Sequence, residues 1–247
     1  MWCTENLVII AVTFLLAGGV KGVVGLGLPT ISLALLTAAF GLKEAMALML
    51  IPSFVTNAWQ GLVGGALVSI LRRLWLLLMF ACVGIWLGTG ILARSDVHLL
   101  SGLLGAVLCL YALFSLGSWQ IPSPGRHEKW LSPLVGLANG FLTGLTGSFV
   151  VPGTLYLQAL GLTRDVLVQA MGVMYTLSTL ALGMALAENS LLPSDLGIIS
   201  GVAVLPALAG MMIGQRIRQS LSETIFRKVF FSVLLILGLY IMDRAFL

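Results

Sequence analysis

The sequence predicts an all-α, polytopic integral membrane protein made of two inverted repeats. Each repeat reads as a V-shaped, discontinuous glycine-rich helical hairpin followed by three transmembrane helices. Three observations predict this. Apolar runs such as Leu7–Leu16, Leu74–Leu92 and Val229–Met242 recur along all 247 residues. A glycine and proline pattern occurs twice in register. The charged residues collect in short loops whose sign differs between equivalent positions of the two halves.

Composition supports the first observation. The chain is 59% hydrophobic and only 9% charged, with a mean hydropathy of +1.09, far too little charge to cover a soluble domain of this length. A lipid bilayer is therefore the expected surrounding. The net charge of +4 does not indicate nucleic acid, because the basic residues sit mostly between apolar segments, where they orient a membrane protein during insertion. Cys3, Cys82 and Cys109 lack metal-ligand spacing and read as small hydrophobes. Glu5 precedes the first apolar run and no Lys or Arg does, so that run is read as a helix of the mature protein rather than a cleaved signal.

Breaks at glycine, proline and charge divide the chain into ten expected helices: 7–24, 28–40, 44–66, 74–93, 97–117, 131–147, 150–161, 164–187, 195–215 and 225–243. The second and seventh are short. A helix of about 13 residues is about 20 Å long and does not span a core of about 30 Å. Pro52 and Pro206 are expected to kink their helices.

Gly18, Gly22 and Gly25 recur as Gly140, Gly144 and Gly147, each 122 residues on, and Pro29 recurs as Pro152. Further along, Gly41–Ala45 (GLKEA) answers Gly161–Asp165 (GLTRD). A single G-x-x-x-G means only close packing; the recurrence in register with a short segment after it means a repeat. The organisation read from this is a first transmembrane repeat at 1–117, a cytoplasmic linker at 118–130 and a second repeat at 131–247.

Charge then sets orientation. Arg72 and Arg73 follow the third segment, whereas Glu188 and Asp195 frame the equivalent loop of the second half. Arg94, Asp96 and His98 nearly cancel after the fourth segment, while Arg216, Arg218, Arg227 and Lys228 follow the ninth. Arg126 and Lys129 lie in the linker. The positive-inside rule puts loops 70–74, 118–130 and 216–228 in the cytoplasm and loops 94–97 and 188–195 outside. Equivalent loops fall on opposite sides, so the halves are inverted. Each hairpin then makes an even number of crossings, by re-entering or by crossing with both arms, and both termini are external.

Non-helical backbone at membrane depth is tolerated where protein buries it or where it faces a water-filled cavity, and glycine lets backbone approach a ligand closely. Inverted repeats whose broken helices meet near the midplane are a transporter architecture. The short arms start just after their glycine runs, beside Pro29 and Thr30 and beside Ser148 and Pro152. Such helix N-termini favour anions, and Thr143, Thr146 and Ser148 add hydroxyls. The long arms end there with free carbonyls, which favour a cation such as sodium.

Lys21 is the basic residue well inside an apolar segment. It is expected either to contact the anion or to complement the end of its helix and snorkel to the interface. Thr143 stands at its counterpart. Of the polar residues at helical depth, Asn57, Gln60, Asn139, Gln158, Gln169 and Tyr175, most read as interhelical hydrogen-bonding residues; each is open for the substrate path, with Asn57, Gln169 and Tyr175 the best candidates. No Asp or Glu falls deep in a segment, and His98 and His127 lie in or beside loops. Neither a proton relay of carboxylates nor an intramembrane protease is indicated, and no enzyme activity, cofactor or metal ligand set is expected.

The segments AGGVKGVVGLGLPTISL (Ala17–Leu33) and ANGFLTGLTGSFVVPGTL (Ala138–Leu155) resemble the TauE/SafE family of membrane permeases, the sulfite exporter family, over nearly the full chain. Matching positions are Gly18, Gly22, Gly25, Gly27 and Pro29, then Gly140, Gly144, Gly147 and Pro152. The family's closing glycine cluster is reduced to Gly25–Leu28 and Gly147–Val150, and Lys21 lies outside its motif, which implies a narrower site or a different anion. The resemblance implies a secondary transporter in the bacterial inner membrane that exports sulfite or an organosulfonate by alternating access. Coupling to protons or sodium, transport of another anion or a metal ion, and a non-transporting scaffold are the alternatives. The substrate-binding residues expected are Lys21, Gly22, Gly25, Gly27, Thr30, Asn57, Thr143, Gly144, Thr146, Gly147, Ser148, Gln169 and Tyr175.

Overall fold

A computed structural model describes residues 3–117, 119, 121–217 and 223–246. All ordered elements among them are helical: α1 (Thr4–Val24), α2 (Leu28–Phe40), α3 (Leu42–Leu62), α4 (Leu67–Leu92), α5 (Val97–Leu116), α6 (Glu128–Thr146), α7 (Gly153–Ala159), α8 (Arg164–Glu188), α9 (Ser194–Val202), α10 (Val204–Ile217) and α11 (Glu223–Phe246), with one 3-10 turn at Gly125–His127. Among the described residues, six stretches are long and apolar enough to cross a membrane: α1, α4, α5, α8, the α9–α10 stretch from Asp195 to Ile217, and α11. α3 and α6 have the length but carry more polar residues, among them Asn57 and Gln60, and Asn139, Thr143 and Thr146.

Three expected segments need correction. The fourth begins at Leu67, not at 74, so Arg72 and Arg73 lie within α4 rather than in a loop at 70–74. The chain reverses instead through Gly64 and Gly65, whose φ values of 134° and 77° suit only glycine. The expected single helix at 195–215 is two, broken at Ala203. Pro206 has no N–H to give the Val202 carbonyl. The seventh segment is helical only from Gly153 to Ala159, and the chain before it is irregular. Arg218 and parts of the 118–130 linker lie outside the described residues.

The helices form two compact units. One comprises residues 1–52, 101–117 and 193–247, the other 53–100 and 118–192. Each draws on both halves of the sequence.

In the first unit α1 packs on α10 and α2 folds back onto α1 and α11. The α1–α10 contact is backbone on backbone. A Cβ on Gly18 would strike the Ala207 carbonyl oxygen, one on Gly22 the Met211 oxygen, and one on Gly210 the Leu15 oxygen. Pro52 lies inside α3 without ending it, although it leaves the Leu48 carbonyl without its helical donor. The Ser200 hydroxyl on α9 fills that vacancy, donating to the Leu48 oxygen at 2.7 Å and accepting from the Ile51 N–H at 3.2 Å. Ser200→Ala is therefore expected to cost about 1–3 kcal/mol, the penalty of a buried unsatisfied carbonyl, read as a lower melting temperature in detergent.

In the second unit α4 packs on both α6 and α8. Gly136, Gly140 and Gly144 of α6 meet the backbone of Leu77, Ala81 and Ile85, and Gly84 and Gly88 of α4 meet that of Leu137 and Phe141. The end of α3 crosses α8 at Gly61 and Gly172, again backbone to backbone. Across that crossing Gln60 donates to the Val168 carbonyl at 2.8 Å, and Gln169 donates to the Gly61 carbonyl at 2.9 Å.

Candidate functional site

Both glycine-rich hairpins begin alike. α1 ends on Gly25 and α6 on Gly147, each left-handed (φ 84° and 74°), and each donates its N–H to a carbonyl four residues back, Lys21 and Thr143, at 2.7 Å. A left-handed cap of this kind is the normal role of glycine at a helix C-terminus. Beyond the caps the hairpins differ. In the first, only Leu26 and Gly27 follow before α2 starts, with Pro29 in its opening turn. In the second, residues 147–152 form an irregular, almost wholly buried segment before the short α7.

In the first hairpin Lys21, Gly22, Gly27 and Thr30 are buried and Gly25 is half-buried. Lys21 is 4% exposed and occupies the last turn of α1. Gly22 lies in the contact with α10. Gly27 is left-handed at φ 101° and packs against Phe230 and Val20. An apolar cavity of about 260 Å³ opens beside them, lined by Leu16, Val20, Ile31 and Leu35 with Phe226 and Phe230 of α11. Its lining is apolar and offers nothing polar to an anion.

The second hairpin carries a polar cluster. The irregular segment runs back along α6 and is tied to it twice. Thr143 donates its hydroxyl to the Ser148 carbonyl at 2.8 Å, and Asn139, one turn earlier, accepts the Gly153 N–H on its Oδ1 at 2.9 Å. Thr146 donates to the Leu142 carbonyl at 2.7 Å and accepts from the Ser148 N–H at 3.3 Å. The Tyr175 hydroxyl of α8 pairs with that of Thr154, and its ring lies 5.7 Å from that of Phe149. The hydroxyl protons of Thr143 and Thr146 are thus committed to backbone carbonyls, while Ser148 Oγ and Asn139 Nδ2 are buried without a partner.

The other expected residues divide. Tyr175 joins the cluster through Thr154 and Phe149. Gly144 lies in the α4–α6 contact, beside Ile85 and Gly88. Gln169 is engaged at both ends of its amide, accepting from the Ala66 N–H at 3.0 Å as well as donating to Gly61, so it staples the turn between α3 and α4. Asn57 is buried in α3. Asn139 and Thr154 are the members of the cluster that the expected substrate-binding residues leave out. The place of Asn139, directly before Gly140, carried no chemical signal, because its tie to Gly153 depends on the irregular segment.

An ion-pair network closes one end of this unit. Arg73 of α4 grips Glu128, at the start of α6, through two bonds of 2.7 and 2.8 Å and reaches the Leu160 carbonyl at 3.3 Å. Tyr156 of α7 donates to the Glu128 carbonyl at 3.2 Å and pairs with the Ser132 hydroxyl at 2.8 Å. The Arg73 guanidinium holds the Glu128 carboxyl below its usual range. This contribution is therefore complete above the ordinary carboxylate pKa and is lost only as the pH falls through the lower, folded value. Glu128→Gln is expected to lower the melting temperature slightly at neutral pH, and the difference from the unsubstituted protein should vanish in strong acid; a gap that persists there would mean the carboxylate charge is not what matters.

What these elements define is an all-helical, multi-pass membrane protein. The breaks in its two glycine-rich hairpins are largely buried, and one of them holds a cluster of neutral polar groups. The chain belongs to the sulfite exporter TauE/SafE family, whose model matches residues 10–241. That makes it a membrane transporter by family. None of the curated proteins and none of the solved structures compared with it matches.

Proposed function

We propose that the protein is a secondary transporter that exports a small sulfur oxyanion, sulfite or an organosulfonate, from a bacterial cell across the inner membrane by alternating access. The observation that carries this reading is the irregular segment 147–152, buried within a membrane protein and tied to α6 by Asn139 and Thr143. Such backbone is expensive in hydrocarbon unless it serves a cavity or a ligand. Family membership supplies the sulfur chemistry.

The helix pairing supports two repeats of opposite orientation. The glycine helix of the first sequence half, α1, packs on α10 of the second, and the glycine helix of the second half, α6, packs on α4 of the first. Two copies of one motif that exchange partners in this way give the same contact twice. Loops 118–130 and 216–228 are cytoplasmic and the termini external in this reading.

The anion engages the hydroxyl and amide groups of the second hairpin; in the first hairpin, Lys21 is the residue that offers positive charge. With no carboxylate at helical depth, export couples to the proton gradient through protonation of the substrate, to sodium, or to neither.

The test is sulfite flux into proteoliposomes of the purified protein, with sulfate, sulfoacetate and taurine as competitors. Saturable flux inhibited by some of these anions and not others is expected. Folded protein with no flux above empty liposomes would remove sulfite as substrate and favour a scaffold.

A further inference from the structure

We propose that Asn139 and Ser148 are the donors that bind the transported oxyanion, and that they select a singly charged one. The inference rests on the transporter reading and deepens it. Both side chains are essentially inaccessible, Asn139 at 0% and Ser148 at 2% exposure, and both end in an unpartnered polar atom. Buried polar groups are almost always hydrogen-bonded, so two orphans in one cluster call for a partner that comes and goes.

The geometry fixes what that partner is. The Asn139 carbonyl oxygen is held by the Gly153 N–H, so its unpartnered end is the NH₂ group, a donor only. The Ser148 carbonyl is held by Thr143 and its N–H by Thr146, which leaves the hydroxyl to turn toward a ligand. The ties at Asn139 and Thr143 are four residues apart, about 6 Å along α6, so the segment that carries Ser148 is held to the same stretch of α6 as Asn139. Thr154 and Tyr175 share a hydrogen bond that uses only one of their two hydroxyl protons, so the adjoining pair holds a third donor. A ligand facing these groups must be an acceptor.

No charged side chain belongs to this cluster, whose members are Asn139, Thr143, Ser148, Thr154 and Tyr175. Neutral donors replace the weaker hydration of a monoanion more readily than that of a dianion. The class favoured is therefore hydrogensulfite or a sulfonate over sulfate.

The experiment is thermal unfolding of the purified full chain in detergent, with methanesulfonate and sulfate as probes. Methanesulfonate is expected to raise the melting temperature of the unsubstituted protein, and sulfate to raise it less. Ser148→Ala should melt at the original temperature without ligand, since its hydroxyl makes no bond, yet lose most of the methanesulfonate shift; a merely structural serine would do the opposite. Asn139→Asp keeps the oxygen that Gly153 needs and exchanges the NH₂ for a carboxylate oxygen. At alkaline pH, where that carboxylate is ionised, it should abolish the shift and weaken apparent binding at least about 10-fold, the worth of one hydrogen bond to a charged group. Shifts that survive both substitutions, or no shift with either probe, would overturn the assignment, and an equal or larger shift with sulfate would overturn the charge selection. If methanesulfonate shifts the unsubstituted protein and not the variants while sulfite flux is absent, the site stands and sulfite transport falls.

Discussion

Valine at Gly140 is expected to destabilise the protein by about 3 kcal/mol or more, the upper end of overpacking costs, and to abolish a monodisperse species in detergent. A Cβ at this position lands on the carbonyl oxygen of Ala81, with the Ala81 Cα close behind. The obstacle is main chain, so no rotamer change relieves it, and α4 must move bodily. That movement would also separate Gly136 from Leu77 and Gly144 from Ile85, since the three glycines form one ridge. In lipid there is little hydrophobic drive between helices, and close packing is what holds them; a lost seam is not replaced by burial elsewhere. Gly90, at the end of α4, is the control. Nothing lies within 4 Å of a Cβ built there, so Gly90→Ala should be neutral or stabilise by up to about 1 kcal/mol through helix propensity. Thermal unfolding of both variants checks the pair. Equal melting temperatures would show that the α4–α6 seam contributes nothing.

This seam shows what the sequence made legible. The recurring glycines marked the helices that need close neighbours, and the left-handed caps at Gly25 and Gly147 fell where the pattern turned from helix to glycine run. The limits of α2, Leu28–Phe40, followed from Gly27 and Pro29 before it and Gly41 after it, signals that are wholly local. What the glycines face was not legible. Gly84 and Gly88 look like ordinary small residues until α6 lies on them, and G-x-x-x-G names no partner.

What the sequence left hidden shares one cause, a partner distant in sequence. Arg72 and Arg73 read as a loop because charge in an apolar chain usually marks an end; Arg73 is kept in the helix by Glu128, 55 residues on. Gln169 looked like a substrate ligand because it is polar and deep, but its amide is engaged with the turn at residues 61–66. Asn139 looked like packing because nothing near it in sequence reports the orphaned NH₂ group. Pro52 was expected to kink α3, and nothing local announces that Ser200, 148 residues away, donates to the carbonyl it frees. Apolar periodicity reports which segments are helices; the partner of each polar group is settled only by the packing.

Lys21→Met is expected to reduce sulfite flux about 10- to 100-fold per folded molecule in proteoliposomes. The factor follows from a hydrogen bond to a charged group, about 1.5–3 kcal/mol, at about 1.4 kcal/mol per tenfold. Two effects of the charge itself on stability oppose each other. Lys21 lies in the last turn of α1, where a positive charge gains about 0.3–1 kcal/mol from the helix dipole. Against that, the side chain is 4% exposed, and relieving the desolvation of a buried ammonium offsets the loss. Methionine has nearly the same length and fills the same space without the charge. A lysine kept only to complement α1 would show the reverse pattern, with flux unaltered per folded molecule and a lower melting temperature. Lys21→Arg separates charge from shape: retained flux would mean that positive charge in the path suffices, and lost flux with unchanged stability would mean that the compact ammonium itself meets the anion. Unaltered flux in the methionine variant would show that Lys21 takes no part in transport.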